Sequence, residues 1–379
     1  MIKLIHTADL HLDSPFSMLD LQKSEIRRQE MRDSFEALIN LVYTTRSDML
    51  LIAGDLFESS YVTHETLNMV KNGFARIPDC RIVITPGNHD PAGENGIYNK
   101  IDFSENVYIF TSEDISYLDF PELNCRVYGY AFTSQSYEKS PLCNEIPKDK
   151  SKINILVCHG DTATAIPRHA PISKNDLERA DFDYIALGHY HNTDGVHELS
   201  NGGYFAYSGC LEGRGFDEIG EKGVITARID KDEKGKTAFS HKFVPFSKRI
   251  YHTRSLDITG CDSSAAILAK INEFIKSEGF DDHDALKLVL EGMLSPSLRV
   301  FPQYYKEQIN TLFSLKITDN TLPLFESAQL MSDPSIKGAF FDKIRPLLES
   351  GNAEERETAA LALRYGLVAL SGGETSDLN

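Results

Sequence analysis

The stretch DYIALGHYHNTDG, residues 183–195, decides how the chain is read. An apolar run from Tyr184 to Leu187 reaches Gly188 and then meets two imidazoles at alternate positions, His189 and His191. A short apolar run bounded by turn residues reads as a strand buried on both faces. Ligand sites in sheet-based α/β folds collect where strands end, so a buried strand that stops on metal-capable side chains marks such a site. Four other stretches share the design: ADLH with Asp9 and His11, AGDLF with Asp55, GNHD with Asn88, His89 and Asp90, and CHGD with His159 and Asp161. In extended backbone, positions i and i+2 face one side. This predicts that Asp9 and His11 point together, as do His189 and His191. Gly54, Gly87, Gly160 and Gly188 stand beside these residues and are expected to permit tight turns and close approach of backbone to an ion.

Seven of these residues form a candidate ligand set: Asp9, His11, Asp55, Asn88, His159, His189 and His191. They are too many for one ion and suit two that share a bridging carboxylate. Two metals about 4 Å apart clamp a phosphate, activate a water and neutralise charge at phosphorus. Mixed nitrogen and oxygen donors without thiolate favour manganese, iron or zinc in a reactive site over structural zinc. Cys158 precedes His159 in its strand and is expected to face the other way. His89 alternates with Asn88 and is read as catalytic, giving a proton to the leaving oxygen. Asp90 is grouped with it, to orient His89 or to stiffen the loop.

Around these motifs the first 250 residues alternate β-rich runs and helical stretches, then become mostly strands. IKLIHTAD, DMLLIAGDL, CRIVITPG, VYIF, RVYGYAF, INILVCHGD, FAYSGC, GVITARID and AFSHKFVPF read as strands. Residues 24–45 carry a helical stripe of Ile26, Met31, Phe35, Leu38, Ile39 and Val42, and a second helix starts after Thr63 as its cap. This pattern is α/β with mixed sheets. After residue 250 a βαβαβ pattern follows, with helices at 263–277 and 302–313, large enough for a small second domain. Residues 321–379 read as mainly helical, with Pro346 expected to kink or end its helix and the last nine residues frayed.

Composition sets limits. The chain has 379 residues, 41% hydrophobic and 25% charged. Its apolar runs are too short to span a bilayer. MIKLIHTADL lacks a basic leader and reads as a first strand, not a signal peptide. Six scattered cysteines (80, 125, 143, 158, 210 and 261) fit reduced thiols in a cytosol. The net charge of −17 repels polyanions. A nucleic-acid substrate would therefore need bound metal or a partner protein to offset it.

With these residues in hand, the chain resembles the calcineurin-like metallophosphoesterase superfamily, whose pattern runs D-x-H, G-D, G-N-H-[DE], H and G-H-x-H. Here it reads Asp9-Leu10-His11, Gly54-Asp55, Gly87-Asn88-His89-Asp90, His159 and Gly188-His189-Tyr190-His191, in order over about half the chain. HTADLHLDSPF, LIAGDLFE, ITPGNHDP and YSGCLEGRGFDEIGEKG are similar to the SbcD/YhaO-type DNA repair exonucleases within it. The resemblance implies a four-layer αββα sandwich over 1–250, a capping domain over 251–320 and a helical segment over 321–379 that holds a partner. It also implies a manganese-dependent DNA nuclease subunit, cytoplasmic and homodimeric, working beside an SbcC-like coiled-coil ATPase. Carried over by position, one metal takes Asp9, His11, Asp55 and His191. The other takes Asp55, Asn88, His159 and His189, with His89 catalytic.

Plainer readings apply elsewhere. His6, His64, His169, His197, His241, His252 and His283 are expected to be ordinary hydrogen-bonded residues. Asp13 and Ser14 are read as turn formers ahead of substrate contacts, Arg214 as a surface residue ahead of a phosphate contact, and Asp161 as either a turn former or a support for His159. A phosphatase or nucleotide phosphodiesterase, and a scaffold with a relict metal site, remain the alternative functions.

Overall fold

The computed structural model describes residues 1–142, 146, 148–162, 169–232, 235–295, 298–324 and 330–370. Cys143 and the nine C-terminal residues lie outside these. Two compact units divide the chain, Met1–Ile250 and Tyr251–Asn379.

The first unit runs β1 (Ile2–Thr7), α1 (Leu21–Thr45), β2 (Met49–Ala53), α2 (His64–Ala75), β3 (Arg81–Thr85), β4 (Val107–Ile109), β5 (Ser116–Phe120) and β6 (Cys125–Gly129). It continues through β7 (Ile153–His159), α3 (Lys174–Ala180), β8 (Tyr184–Gly188), β9 (Val196–Glu198), β10 (Tyr204–Tyr207), β11 (Gly223–Lys231) and β12 (Thr237–Pro245). The strands form two six-stranded sheets, ordered β12-β11-β1-β2-β3-β4 and β5-β6-β7-β8-β10-β9. β1 to β4 are mutually parallel, as are β6, β7, β8 and β10, and antiparallel pairing closes every edge but that at β4.

Alternation on doubly buried strands builds the layers. In β2, Leu50 and Ile52 face the helices α1 and α2, while Met49, Leu51 and Ala53 face the second sheet. There they meet Val127, Ile155, Val157 and Ala186, so a shared apolar layer lies between the sheets. Phe35, Leu38, Ile39 and Val42 cover the outside of the first sheet, and Leu177, Ile172 and Phe182 cover the second. This is the expected αββα order. Cys158 is buried in that outer core, away from the ligands.

Thr63 caps α2 as expected, accepting from the Thr66 N–H. The α1 stripe differs at one position: Ile26 is exposed and Arg27 is buried in its place. Arg27 is drawn in by buried Glu212, to which its Nη2 donates at 3.0 Å. β5 and β9 have no counterpart among the expected strands.

In the second unit, β13 (Ile250–Asp257), β14 (Asp284–Glu291) and β16 (Ser314–Asp319) form a sheet ordered β13-β14-β16. The two-residue strands β15 (Met293–Leu294) and β17 (Leu322–Pro323) pair separately. α4 (Ser264–Glu278) packs Ile267, Ile271 and Ile275 on Leu286, Leu288 and Leu290. α5 (Pro302–Gln308) is shorter than the predicted 302–313. Ile309 is extended, and Leu312 and Phe313 turn inward. α6 (Ile336–Leu348) and α7 (Ala353–Leu370) pair through Phe341 and Leu367. Pro346 falls in the last turn of α6, which ends two residues later.

Candidate metal centre

All five motifs meet at one rim of the sandwich. β1 and β2 keep pairing beyond their ends: the N–H groups of Asp9, His11 and Leu12 donate to the carbonyls of Gly54 (3.0 Å), Asp55 (2.9 Å) and Leu56 (3.0 Å). Asp9, His11 and Asp55 adopt left-handed backbone, with φ of 52°, 43° and 51°, and His189 has φ 110°. L-residues avoid this region, and such strain persists where the surroundings over-determine it. The expectation from strand pleating is thereby corrected. Asp9 and His11 come together because the chain turns left-handed past the end of β1, not because they alternate in extended backbone, and His191 joins them while the His189 ring lies against His159.

The glycines also differ from expectation. A methyl on Gly54 would lie 2.1 Å from His159 Nδ1, one on Gly87 2.2 Å from Asp55 Oδ1, and one on Gly188 1.8 Å from the Ala53 oxygen. Each makes room for a neighbouring motif rather than for an ion.

Two groups of ligand atoms result. Those of Asp9, His11 and His191 lie within 4.8 Å of one another, as do those of Asp9, Asp55 and His159. Asp55 Oδ2 stands between them, 3.6 Å from His11 Nε2 and 3.4 Å from His159 Nε2. His11 Nε2 and His191 Nε2 are 3.3 Å apart. Asn88 Oδ1 lies 3.0 Å from His159 Nε2. His189 donates its backbone N–H to both Asp9 oxygens at 3.1 Å and packs its ring edge-on to His159.

These groups fit metal ions on charge alone. Asp9 and Asp55 are 1% exposed, and among the described residues no lysine or arginine pairs with either. Burial pushes the His11 imidazole well below its usual range and that of His189 down to about 3. Against the pull of burial, Glu218 holds the His191 imidazole up. Buried carboxylates with no lysine or arginine partner still need positive charge from elsewhere. Two outer ring nitrogens are held by hydrogen bonds, His191 Nδ1 2.6 Å from Glu218 Oε1 and His159 Nδ1 3.0 Å from the Ala53 carbonyl, while His11 Nδ1 lies 3.3 Å from Glu58 Oε2 without a hydrogen bond. A partner there fixes the tautomer that presents the Nε2 lone pair.

Glu58 has a second task. Its Oε1 lies 3.0 Å from His89 Nδ1, and this hydrogen bond pushes the His89 pKa up. The His89 side chain is 42% exposed, and its backbone N–H donates to Asp55 Oδ1 at 2.9 Å. Asp90 turns away into the fold. Its carboxylate accepts from the Gly87 N–H (2.8 Å), the Phe57 N–H (3.1 Å) and the Tyr98 hydroxyl (2.6 Å), so it stiffens the loop. Burial pushes that carboxyl up to about 7.

Other residues resolve as follows. The Ser14 hydroxyl donates to the His11 carbonyl, as a turn former does, whereas Asp13 accepts from Arg32 and the Thr63 N–H and so ties its loop to α1 and the start of α2. Asp161 accepts from the Tyr190 hydroxyl at 2.6 Å. His6 is a satisfied core residue between Tyr184 Oη and the Leu187 carbonyl. His169 is not plain: its ring lies 4.9 Å from that of His189. Nor is Arg214 a surface residue, since its Nη2 is 2.9 Å from His191 Nδ1. Glu58 and Glu218 escape the sequence reading. A carboxylate three positions after Asp55 is a usable signal for Glu58, whereas Glu218 lies in a loop with no spacing signature.

Acidic and imidazole side chains gathered in two groups at the strand-end rim of an αββα sandwich are the arrangement of a metallophosphoesterase. The chain belongs to the calcineurin-like phosphoesterase family, whose profile matches residues 2–202, and is a phosphoester hydrolase of the class that works through a dimetal centre. Among curated relatives, it is 24% identical to the uncharacterized metallophosphoesterase YhaO of Bacillus subtilis, over 90% of this chain and 86% of that one. It is 24% identical to the D component of the SbcCD nuclease of Staphylococcus epidermidis, over 92% of this chain and 98% of that one. It is 27% identical to the DNA double-strand break repair protein Mre11 of Methanocaldococcus jannaschii, over 55% of this chain and 56% of that one.

Proposed function

We propose that this protein is a two-metal DNA phosphodiesterase, an exonuclease or endonuclease subunit in DNA repair. One observation carries the reading: two largely buried acid–imidazole groups share Asp9, with Asp55 Oδ2 between them and an exposed histidine beside them. Relatives named as nuclease and DNA-break repair proteins point to DNA, and one spans nearly the whole chain, second unit included. Asp9, His11, Asp55 and His191 would hold one cation, and Asp55, Asn88, His159 and His189 the other, with manganese preferred. Bound there, the pair supplies Lewis acidity toward a phosphodiester and toward water. His89 holds a proton at its ring, raised by Glu58, and delivers it to the departing ribose oxygen. Asp90 keeps the loop that carries His89 in place.

The same reading makes residues 251–320 a capping domain and 321–379 a helical C-terminal segment that binds a partner. It makes the protein a cytoplasmic homodimer beside an SbcC-like coiled-coil ATPase. No described helix is long and apolar enough to cross a membrane.

A second reading, a phosphatase or nucleotide phosphodiesterase, is favoured by the net charge of −17. Manganese-dependent turnover of linear duplex DNA, single strands and small phosphate esters, with and without the ATPase, separates the two. Degradation of DNA is expected. Efficient ester hydrolysis with DNA left intact would replace the first reading by the second.

A further inference from the structure

We infer that Arg214 is a built-in clamp for the substrate's phosphate, presented to the metal centre by a loop anchored from behind. The inference rests on the phosphoester-hydrolase reading but not on DNA being the substrate.

The loop Cys210–Glu218 faces two ways. Glu212 points into the body and is 1% exposed. Its oxygens accept from the Ser34 hydroxyl (2.6 Å), the Lys248 N–H (2.8 Å) and Arg27 Nη2 (3.0 Å). Arg27 also donates to the Gly213 carbonyl at 2.9 Å. With that side fixed to α1, Arg214 points the other way. Its N–H and Nε donate to Glu218 at 2.6 and 3.2 Å, and its Nη2 reaches Glu218 Oε1 at 3.0 Å. Nη2 also stands 2.9 and 3.4 Å from the ring nitrogens of His191. The second of these, Nε2, is the atom that faces His11 and Asp9.

A permanent cation this close to a cation-binding centre is unfavourable unless an anion joins them. Glu218 neutralises Arg214 from one side only. Nη1 makes no hydrogen bond among the described residues, and a fifth of the side chain stays exposed. A guanidinium with free N–H groups matches the oxygens of a phosphate ester. It also supplies local positive charge in a protein whose net charge repels such ligands.

The test uses the full-length protein loaded with manganese and inorganic phosphate as probe, followed by calorimetry without turnover. Arg214→Gln is expected to keep its manganese content and bind phosphate at least tenfold more weakly. Arg214→Lys, which keeps charge but loses the planar fork, should fall between and serves if the Gln variant does not fold. Phosphate affinity within twofold of the parent in a folded variant overturns the inference. So does loss of manganese that accounts for the weaker phosphate binding, which would make Arg214 a support for His191 only. Failure to cut DNA leaves these binding results intact and bears on the substrate alone.

Discussion

Glu58 hydrogen-bonds His89 and lies 3.3 Å from His11, so one carboxylate stands behind a proposed metal ligand and the proposed acid together. His89→Ala is expected to retain two metals per chain while turnover falls by about 100-fold or more. Unchanged turnover would remove His89 from the chemistry. Glu58→Gln should cost about 10- to 100-fold in activity or metal affinity, as loss of a partner behind a ligand does. Gly54 makes a different point. It has φ 93°, and any side chain there would collide with His159. Gly54→Ala should cost about 2–4 kcal/mol and lower metal stoichiometry, read by melting and metal analysis. An alanine variant as stable and as metal-loaded as the parent would mean the His159 ring has room to move.

Between the two sheets, His6 on β1 bonds to Tyr184 on β8, and the Thr85 hydroxyl on β3 donates to the Val157 carbonyl on β7. Burial pushes the His6 imidazole down from 6.5 to about 3. Because the folded value is depressed, the unfolded chain binds the extra proton between about pH 3 and 6.5. The contribution is complete above that window and is lost as pH falls through it, by at most about 1.4 kcal/mol per pH unit. His6→Gln should flatten the pH dependence of unfolding between about pH 4 and 6 by close to one proton. An unaltered slope would contradict this. Strands such as β2, β3, β7 and β8 are legible in the sequence because both their faces are buried and their apolar runs unbroken. β5 is not, since Ser116, Tyr117 and Asp119 are exposed on a sheet edge, and β9 has only three residues. The ligand motifs are legible as residue types. Their geometry is not, because left-handed turns at Asp9, His11 and Asp55 leave no mark in a pattern of period two.

For the whole molecule, the charge of −17 makes affinity for a polyanion conditional. Retention of linear duplex DNA at about 0.15 M salt should require added divalent cation and fade as salt rises further. Retention in the presence of chelator would point to a basic surface outside the metal centre. The bonds that carry Asp9, His11 and Leu12 along Gly54, Asp55 and Leu56 are all contributed by the polypeptide. The receptacle is therefore shaped before anything enters it. Stripping by EDTA should silence the enzyme yet spare its far-ultraviolet dichroism, and replenishment should revive it within mixing time, with no refolding lag.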